Sequence, residues 1–337
     1  MQSVLQSVTG LGPQPVQPDD LSGRTAVVVG GAFGIGFEVS RALANAGCRV
    51  LMVNRKQEQG EDAKATIAAE SPGAQVEWHE CDVGNLAQVR DVFTRLREEN
   101  LMKEEGGGRL DYLVLSAGIN TNAGGLDADG IDRHFGVNFL GQFYVVNLLW
   151  PVLRRTAKAH PGSRPRVVFE ASEMHRTAPR NVHFASLDEI NDETLGPTER
   201  YGRTKLAMIL FAKYGLVERV IKENEDDILA VSVHPGAVNT AMQQQWKDAY
   251  PGLTGKLLTW AMLAFGRDVK QGSYSALWAL TSEKVRNGWY YSDPDQPGKE
   301  SSQASDPNLG TALWDLSHRI IKEKLGDDAL VDWKTCA

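Results

Sequence analysis

The chain has 337 residues, 42% of them apolar and 23% charged, the proportions of a globular protein that buries a core. A net charge of −7 leaves no broad basic face, so nucleic acid is not an expected partner. The three cysteines, Cys48, Cys81 and Cys336, show no ligand spacing, which predicts a reduced compartment with neither a disulfide frame nor a metal.

In chain order, residues 1–22 read as a flexible arm, because Gly12-Pro13-Gln14-Pro15 and Gln17-Pro18-Asp19-Asp20 break any element. The arm carries no apolar h-region, and no apolar stretch approaches the roughly 18 residues that span a bilayer. A cytoplasmic protein without a transmembrane segment is therefore expected. Residues 25–29 form a buried strand, 36–46 a helix ended by Gly47, 49–53 a second strand and 60–70 a polar-faced helix. A third strand at 76–80 precedes a helix from 86 to about 102. The charged, glycine-rich 103–109 is a surface loop, and 110–115 is a fourth strand. A long helix at 132–157 is interrupted late by Pro151, and a strand follows at 166–169. Residues 177–199 read as a polar, irregular insertion, 201–224 as a helix and 229–233 as a strand stopped by His234-Pro235-Gly236. An aromatic-rich segment at 241–267, a helix at 269–282, a short strand at 288–291, a polar loop at 293–307 and a closing helix at 309–325 complete the chain. Strands alternating with helices predict an α/β, doubly wound Rossmann fold, with a mainly parallel sheet flanked by helices. No linker divides it: residues 23–292 form a single domain, and 293–337 pack on that domain.

The turn Gly30-Gly31-Ala32-Phe33-Gly34-Ile35-Gly36 lies between the first strand and its helix. Missing side chains let backbone approach a pyrophosphate, whose charge is met by N–H groups at the helix start. The bland alternative is a turn whose glycines merely adopt positive φ. After the second strand come Asn54-Arg55-Lys56, with no acid before Glu58. A carboxylate there would hold the ribose hydroxyls of NAD, whereas a guanidinium binds a 2′-phosphate, so NADP(H) is the expected cofactor. Arg55 and Lys56 as solvated surface charges are the alternative. Asp82 is placed to reach the adenine edge, and Ser116-Ala117-Gly118 leave room for the cofactor past the fourth strand.

Of eight tyrosines only Tyr201 has a lysine, Lys205, four residues on, which puts phenol and ammonium on one helix face. The ammonium can lower the phenol pKa and make it a usable acid-base catalyst. Ser172, at a strand end, can hold a substrate oxygen beside the phenol, or it makes a local turn. Asn138, inside the apolar Val137-Asn138-Phe139-Leu140-Gly141, needs hydrogen-bond partners. A water-linked relay to Lys205 would supply them, as would structural use in the core.

Together with His234-Pro235-Gly236-x3-Thr240, these motifs resemble the short-chain dehydrogenase/reductase family over about residues 22 to 292. The Val168–Arg176 stretch and the long gap before Tyr201 are similar to its retinol-dehydrogenase-like branch, which has fungal members. The resemblance implies that Tyr201 is the general acid of reduction, Lys205 its partner and a ligand of the nicotinamide ribose, Ser172 the carbonyl orienter and Asn138 the holder of a relay water. It also implies cofactor contacts from Gly30, Gly34, Ile35 and Gly36, from Arg55, Asp82 and Val83, and from Ser116, Ala117 and Gly118. Pro235, Gly236, Val238 and Thr240 would meet the carboxamide end. Val29 stands where the family usually has threonine, and Ser116 where it has asparagine.

The implied activity is NADP(H)-dependent reduction of a ketone or aldehyde, or the reverse oxidation, on a hydrophobic small molecule of secondary metabolism. A cyclase, isomerase or epimerase with a structural nucleotide, and a non-catalytic NADP(H) sensor, are the alternatives. The apolar 241–267 suits a lipophilic substrate, a packed amphipathic helix or a membrane surface. The 177–199 insertion is a candidate for the pocket's other wall. The family often pairs subunits through the helices bearing Asn138 and Tyr201, while this branch also contains monomers and the 177–199 insertion can obstruct pairing, so a monomer or a homodimer is expected.

Overall fold

A computed structural model describes residues 13–103, 108–121, 123–238 and 267–336. The expectations for Thr240, residues 241–266 and the first 12 residues of the arm lie outside the described residues.

The first half is strictly alternating. Strand β1 (Thr25–Val29) leads through the glycine turn into α1 (Gly34–Asn45), then β2 (Arg49–Asn54), α2 (Gln57–Glu70) and β3 (Val76–Glu80). Helix α3 (Leu86–Arg95) continues as a π turn at Leu96–Leu101, followed by β4 (Tyr112–Leu115). The continuous helix α4 spans Arg133–Ala159 and leads to β5 (Arg166–Glu170). After a short helix α5 (Leu187–Ile190) comes α6 (Pro197–Leu210), which runs on through π-helical Phe211–Ile221. Strand β6 (Leu229–Val233), helix α7 (Val269–Thr281), strands β7 (Tyr290–Asp293) and β8 (Gln296–Pro297), and helix α8 (Pro307–Leu325) finish the chain.

The strands form one sheet in the order β3-β2-β1-β4-β5-β6-β7-β8, parallel throughout except for the last pair. Strand β8 is absent from the sequence expectation, because two residues carry no readable period. All five residues of β1 are buried, as a strand covered on both faces requires. Val27 and Val29 point into one core layer with Phe143, Trp150 and Phe211; Ala26 and Val28 point into the other with Leu43, Leu277 and Trp278. Leu313, Leu316, Ile320 and Ile321 of α8 belong to the first layer.

Three expectations shift. Helix α4 is not interrupted at Pro151: the proline sits inside it, and burial of Trp150, Pro151 and Val152 holds the segment despite the lost backbone bond. By length and hydropathy α4 could cross a membrane, contrary to the sequence count, but 94% of its apolar window is buried within the protein. Helix α6 starts at Pro197, before Tyr201, since proline suits a first helical position and the Glu199 carboxylate accepts the Gly196 N–H at 3.1 Å.

Candidate active site

Sheet order reverses between β1 and β4, so the loops after them diverge and open a crevice at the strand C-termini. A cavity of about 920 Å³ lies there, reaching from Arg55 and Asp82 past Ser116 to Ser172, Tyr201 and Lys205. Gly30 (φ +83°) and Gly34 (φ +59°) adopt backbone that L side chains rarely take. A Cβ on Gly30 would lie 2.6 Å from the Ala117 nitrogen, and one on Gly36 would overlap the Gly30 carbonyl oxygen. Helix α1 begins at this turn without a side-chain cap from Phe33 and without an acid in its first turn. Gly34 and Ile35 line the cavity, so an uncapped, partly positive helix end faces it. That combination fits an anionic dinucleotide.

Arg55 also lines the cavity, largely exposed, and pairs with Asp82 at 3.4 Å. Asp82 in turn accepts the Gly84 N–H at 2.9 Å. This Arg55–Asp82 link was not legible in the sequence, since 27 positions separate the two groups. Val83, Ala117, Gly118, Pro235, Gly236 and Val238 are brought to the same cavity. Ser116 donates its N–H to the Val29 carbonyl at 2.9 Å, which ties the ends of β1 and β4 together.

Asn138 sits in a π turn, Gly136–Leu140, inside α4. The extra residue per turn sets it off the regular helix face. Its carboxamide accepts the Ile119 N–H at 2.7 Å and donates to the Ile119 carbonyl at 2.9 Å and to Thr204 Oγ at 3.2 Å. The amide thus clamps the loop after β4 to the residue preceding Lys205.

Tyr201 and Lys205 share one face of α6, with the ammonium 5.4 Å from the phenol ring centre. Gly202 makes their placement possible. A Cβ there would lie 2.6 Å from the Met174 carbonyl oxygen and would overlap Thr177 Oγ1, so α6 lies directly on the 3-10 turn Glu173–Thr177. Ser172 caps that turn, its Oγ accepting the Met174 N–H at 3.2 Å. Its hydroxyl hydrogen stays available to donate.

A residue the sequence reading passed over joins them. Glu170, the last residue of β5, lines the cavity, and both its carboxyl oxygens are buried without a hydrogen-bond partner. Lys205 Nζ donates to its backbone carbonyl at 2.5 Å. Burial pushes the Glu170 carboxyl up, and the nearby Lys205 ammonium opposes that shift. Burial pushes Lys205 down, and Glu170 opposes that in turn. Tyr201 is held well above the ordinary phenol range, first by burial and then by Glu170. This direction is opposite to the lowering expected from Lys205. The available signal was a charged residue closing an apolar strand, Val167-Val168-Phe169-Glu170.

Around the centre, loops are pinned by buried arginines. Arg203 donates to the Glu189 and Ile190 carbonyls at 2.9 and 2.6 Å, and Arg200 and Arg203 approach Asp132 at 3.6 and 3.7 Å. The 177–199 segment is thereby packed: Phe184 and Ile190 are buried, and the cavity lining draws on none of its residues. Arg267 pairs with Asp293 at 2.7 Å and donates to the Pro235 carbonyl at 3.2 Å, which fixes the loop after β6. Burial pushes His234, at the head of that loop, down to about 4.

Comparison with known proteins agrees with this geometry. The short chain dehydrogenase family model matches residues 24–176. The chain is 31% identical to the short chain dehydrogenase/reductase dpchH of Colletotrichum higginsianum over 324 residues, 91% of this chain and 77% of that protein. It is 26% identical to human polyprenol dehydrogenase over 306 residues, 90% of this chain and 85% of that one. A solved structure of an uncharacterised Mycobacterium paratuberculosis protein superposes with a TM-score of 0.66 at 25% identity, covering 90% of this chain and 95% of its own. Such overlap, on a sheet that carries a glycine turn and a Tyr-x3-Lys pair at one crevice, makes the chain a member of the short-chain dehydrogenase/reductase family of oxidoreductases.

Proposed function

We propose that the protein reduces a ketone or aldehyde of a hydrophobic small molecule with NADPH. The observation that carries this reading is that Ser172, Tyr201 and Lys205 all line one cavity, at the crevice end of a glycine-cradled sheet. A nicotinamide dinucleotide, when bound, supplies the hydride that forms the new C–H bond. Tyr201 gives its phenolic proton to the carbonyl oxygen as the C=O π bond breaks, so an alcohol results. Ser172, whose Oγ already accepts from Met174, donates its hydrogen to the same oxygen and orients it. Lys205 positions the phenol and would hold the ribose of a bound nicotinamide dinucleotide, while Asn138 holds the segment that carries Lys205.

Arg55 and Lys56 at the end of β2 favour a 2′-phosphate, and no carboxylate of β2 opposes it. Phe33 and Leu126, both at least half exposed, line the cavity and favour an apolar substrate. Resemblance to a polyprenol dehydrogenase supports the same class.

The test uses purified protein, NADPH deuterated at its transferring position, and an extract of the producing cell. Mass spectrometry should find a metabolite that gains one deuterium only when Tyr201 is intact. Demonstrated NADPH binding without any labelled product would overturn the reductase reading in favour of non-redox chemistry or cofactor sensing.

A further inference from the structure

Three residues past Ser172 lies a histidine that the proposed chemistry leaves unused. His175 is fully buried, and both of its ring nitrogens are taken. Nδ1 lies 2.7 Å from the Ser172 carbonyl oxygen, and the Ser301 N–H reaches Nε2 at 3.1 Å. A carbonyl can only accept and a backbone N–H can only donate, so the proton sits on Nδ1 and Nε2 is bare. The ring is neutral in this arrangement, and burial, which holds His175 below its ordinary value, favours that form. Ser172 is held by both of its oxygens. Its carbonyl takes the His175 backbone N–H at 3.0 Å as well as the ring N–H, and its Oγ takes the Met174 N–H at 3.2 Å. What remains is the hydroxyl hydrogen, and Ser172 lines the cavity.

Behind the imidazole stands a loop from far along the chain, residues 298–305. It is fastened to the body at several points. Glu300 pairs with Lys213, beyond Tyr201 on the same continuous helix, at 2.6 Å, and Gln303 donates to the Pro179 carbonyl at 2.8 Å. Arg176 donates to the Lys299 carbonyl. The Tyr290 ring stands edge-on to the imidazole, 5.3 Å between centres, and its hydroxyl donates to Glu173 at 2.8 Å. His175 is the bridge from this anchored loop to Ser172. We propose that His175 is a positioning residue for Ser172: its Nδ1–H imidazole joins the Ser172 carbonyl to the 298–305 loop and so sets the direction in which the Ser172 hydroxyl donates. This rests on Ser172 orienting the substrate oxygen, where a displacement of about 1 Å costs up to roughly a hundredfold in rate.

Three variants separate positioning from packing. His175→Asn keeps an N–H where Nδ1 stood; His175→Gln places its amide nearer the position of Nε2; His175→Met fills the space with no donor. The full-length protein is labelled with 13Cβ-serine and 15N-histidine for NMR. The Ser172 signal is assigned with Ser172→Ala and the His175 signals by their loss in the variants. Near neutral pH the His175 proton should be found on Nδ1, and a proton on Nε2 would overturn the proposal. The Ser172 Cβ signal should hold its wild-type shift in the Asn variant and move or split in the Gln and Met variants. Deuterium transfer from labelled NADPH to the metabolite should fall by at most about threefold in Asn and by about tenfold or more in Gln and Met. A Ser172 signal that stays put in Gln and Met, or moves alike in all three, sinks the proposal, as do rates that follow the urea-unfolding midpoint and ignore the donor. The expected Ser172 shifts in a protein that never labels a metabolite would leave the positioning standing and overturn the reductase reading alone. Labelling with a Ser172 signal indifferent to His175 would do the reverse.

Discussion

In the proposed reduction Tyr201 carries the proton step, so its loss should separate turnover from binding. Tyr201→Phe keeps the ring that packs beside Lys205 and removes only the acid. Steady-state assays should show kcat reduced by about 10²–10⁴-fold, the usual worth of a positioned acid. Fluorescence titration should find NADPH affinity altered by less than about threefold, a free-energy change below about 0.7 kcal/mol. Loss of both together would assign Tyr201 a structural part instead. In the proposed NADPH-dependent reaction Arg55 selects the cofactor. Arg55→Asp should weaken NADPH by about tenfold to a hundredfold, the worth of one charged hydrogen bond, and leave NADH equal or tighter. Equal loss for both nucleotides would count against a 2′-phosphate contact. Tyr201 and Lys205 were readable from their spacing taken with the upstream glycine turn, because a four-residue interval puts two side chains on one helix face. Glu170 was not, because what makes it notable is the absence of partners in three dimensions, and a strand-end glutamate in a sequence looks like surface.

Helix α6 reaches its position through a glycine rather than through a favourable contact. With the Met174 carbonyl 2.6 Å from where its Cβ would sit, Gly202→Ala must push α6 off the Glu173–Thr177 turn. Overpacking of this kind costs about 1–3 kcal/mol, readable by urea unfolding. Because Ser172 caps that turn and Tyr201 adjoins Gly202, kcat should fall by more than the lost stability alone explains. A variant of wild-type stability and rate would show that the turn moves freely. Helix α4 makes a similar point: its π turn re-aims Asn138 at Ile119 and Thr204, and no hydropathy period announces such a turn. The 177–199 segment reads as irregular for a related reason. Its order comes from Arg200, Arg203 and Asp132, which lie on other elements.

Across the whole molecule, burial of histidines sets the response to acid. His79, His134, His175, His234 and His318 are all held below their ordinary value, with burial the first cause in each. For His234 the folded value is about 4 against an ordinary 6.5. Between these limits the unfolded chain binds more protons than the folded one, so stability is fully present above about 6.5 and is lost as pH falls toward 4. Thermal unfolding should therefore show a falling midpoint across that window. His234→Gln should flatten the fall, with about 1–2 kcal/mol less stability lost than in the wild type. An unchanged slope would place the acid sensitivity on the other histidines. Glu170, raised from 4.5 to about 8, acts in the opposite sense: its folded form holds a proton the unfolded chain has shed, so its contribution declines as pH rises through that interval. Helix α8 packs Trp314 and His318 edge-on or tilted against Phe143, Phe211 and Trp333.

Local chemistry in the chain was enough to name the alternating strands and helices, the glycine turn, and the Tyr201–Lys205 face, because each depends on residues within a few positions of one another. Long-range placement decided the rest. Only the folded chain sets Gly202 against Met174, pairs Arg55 with Asp82, and pins the 177–199 segment with Arg203. The Glu170 carboxyl became visible for the same reason: desolvation and the lack of a partner are properties of a surrounding volume, and residues far apart in the chain supply that volume.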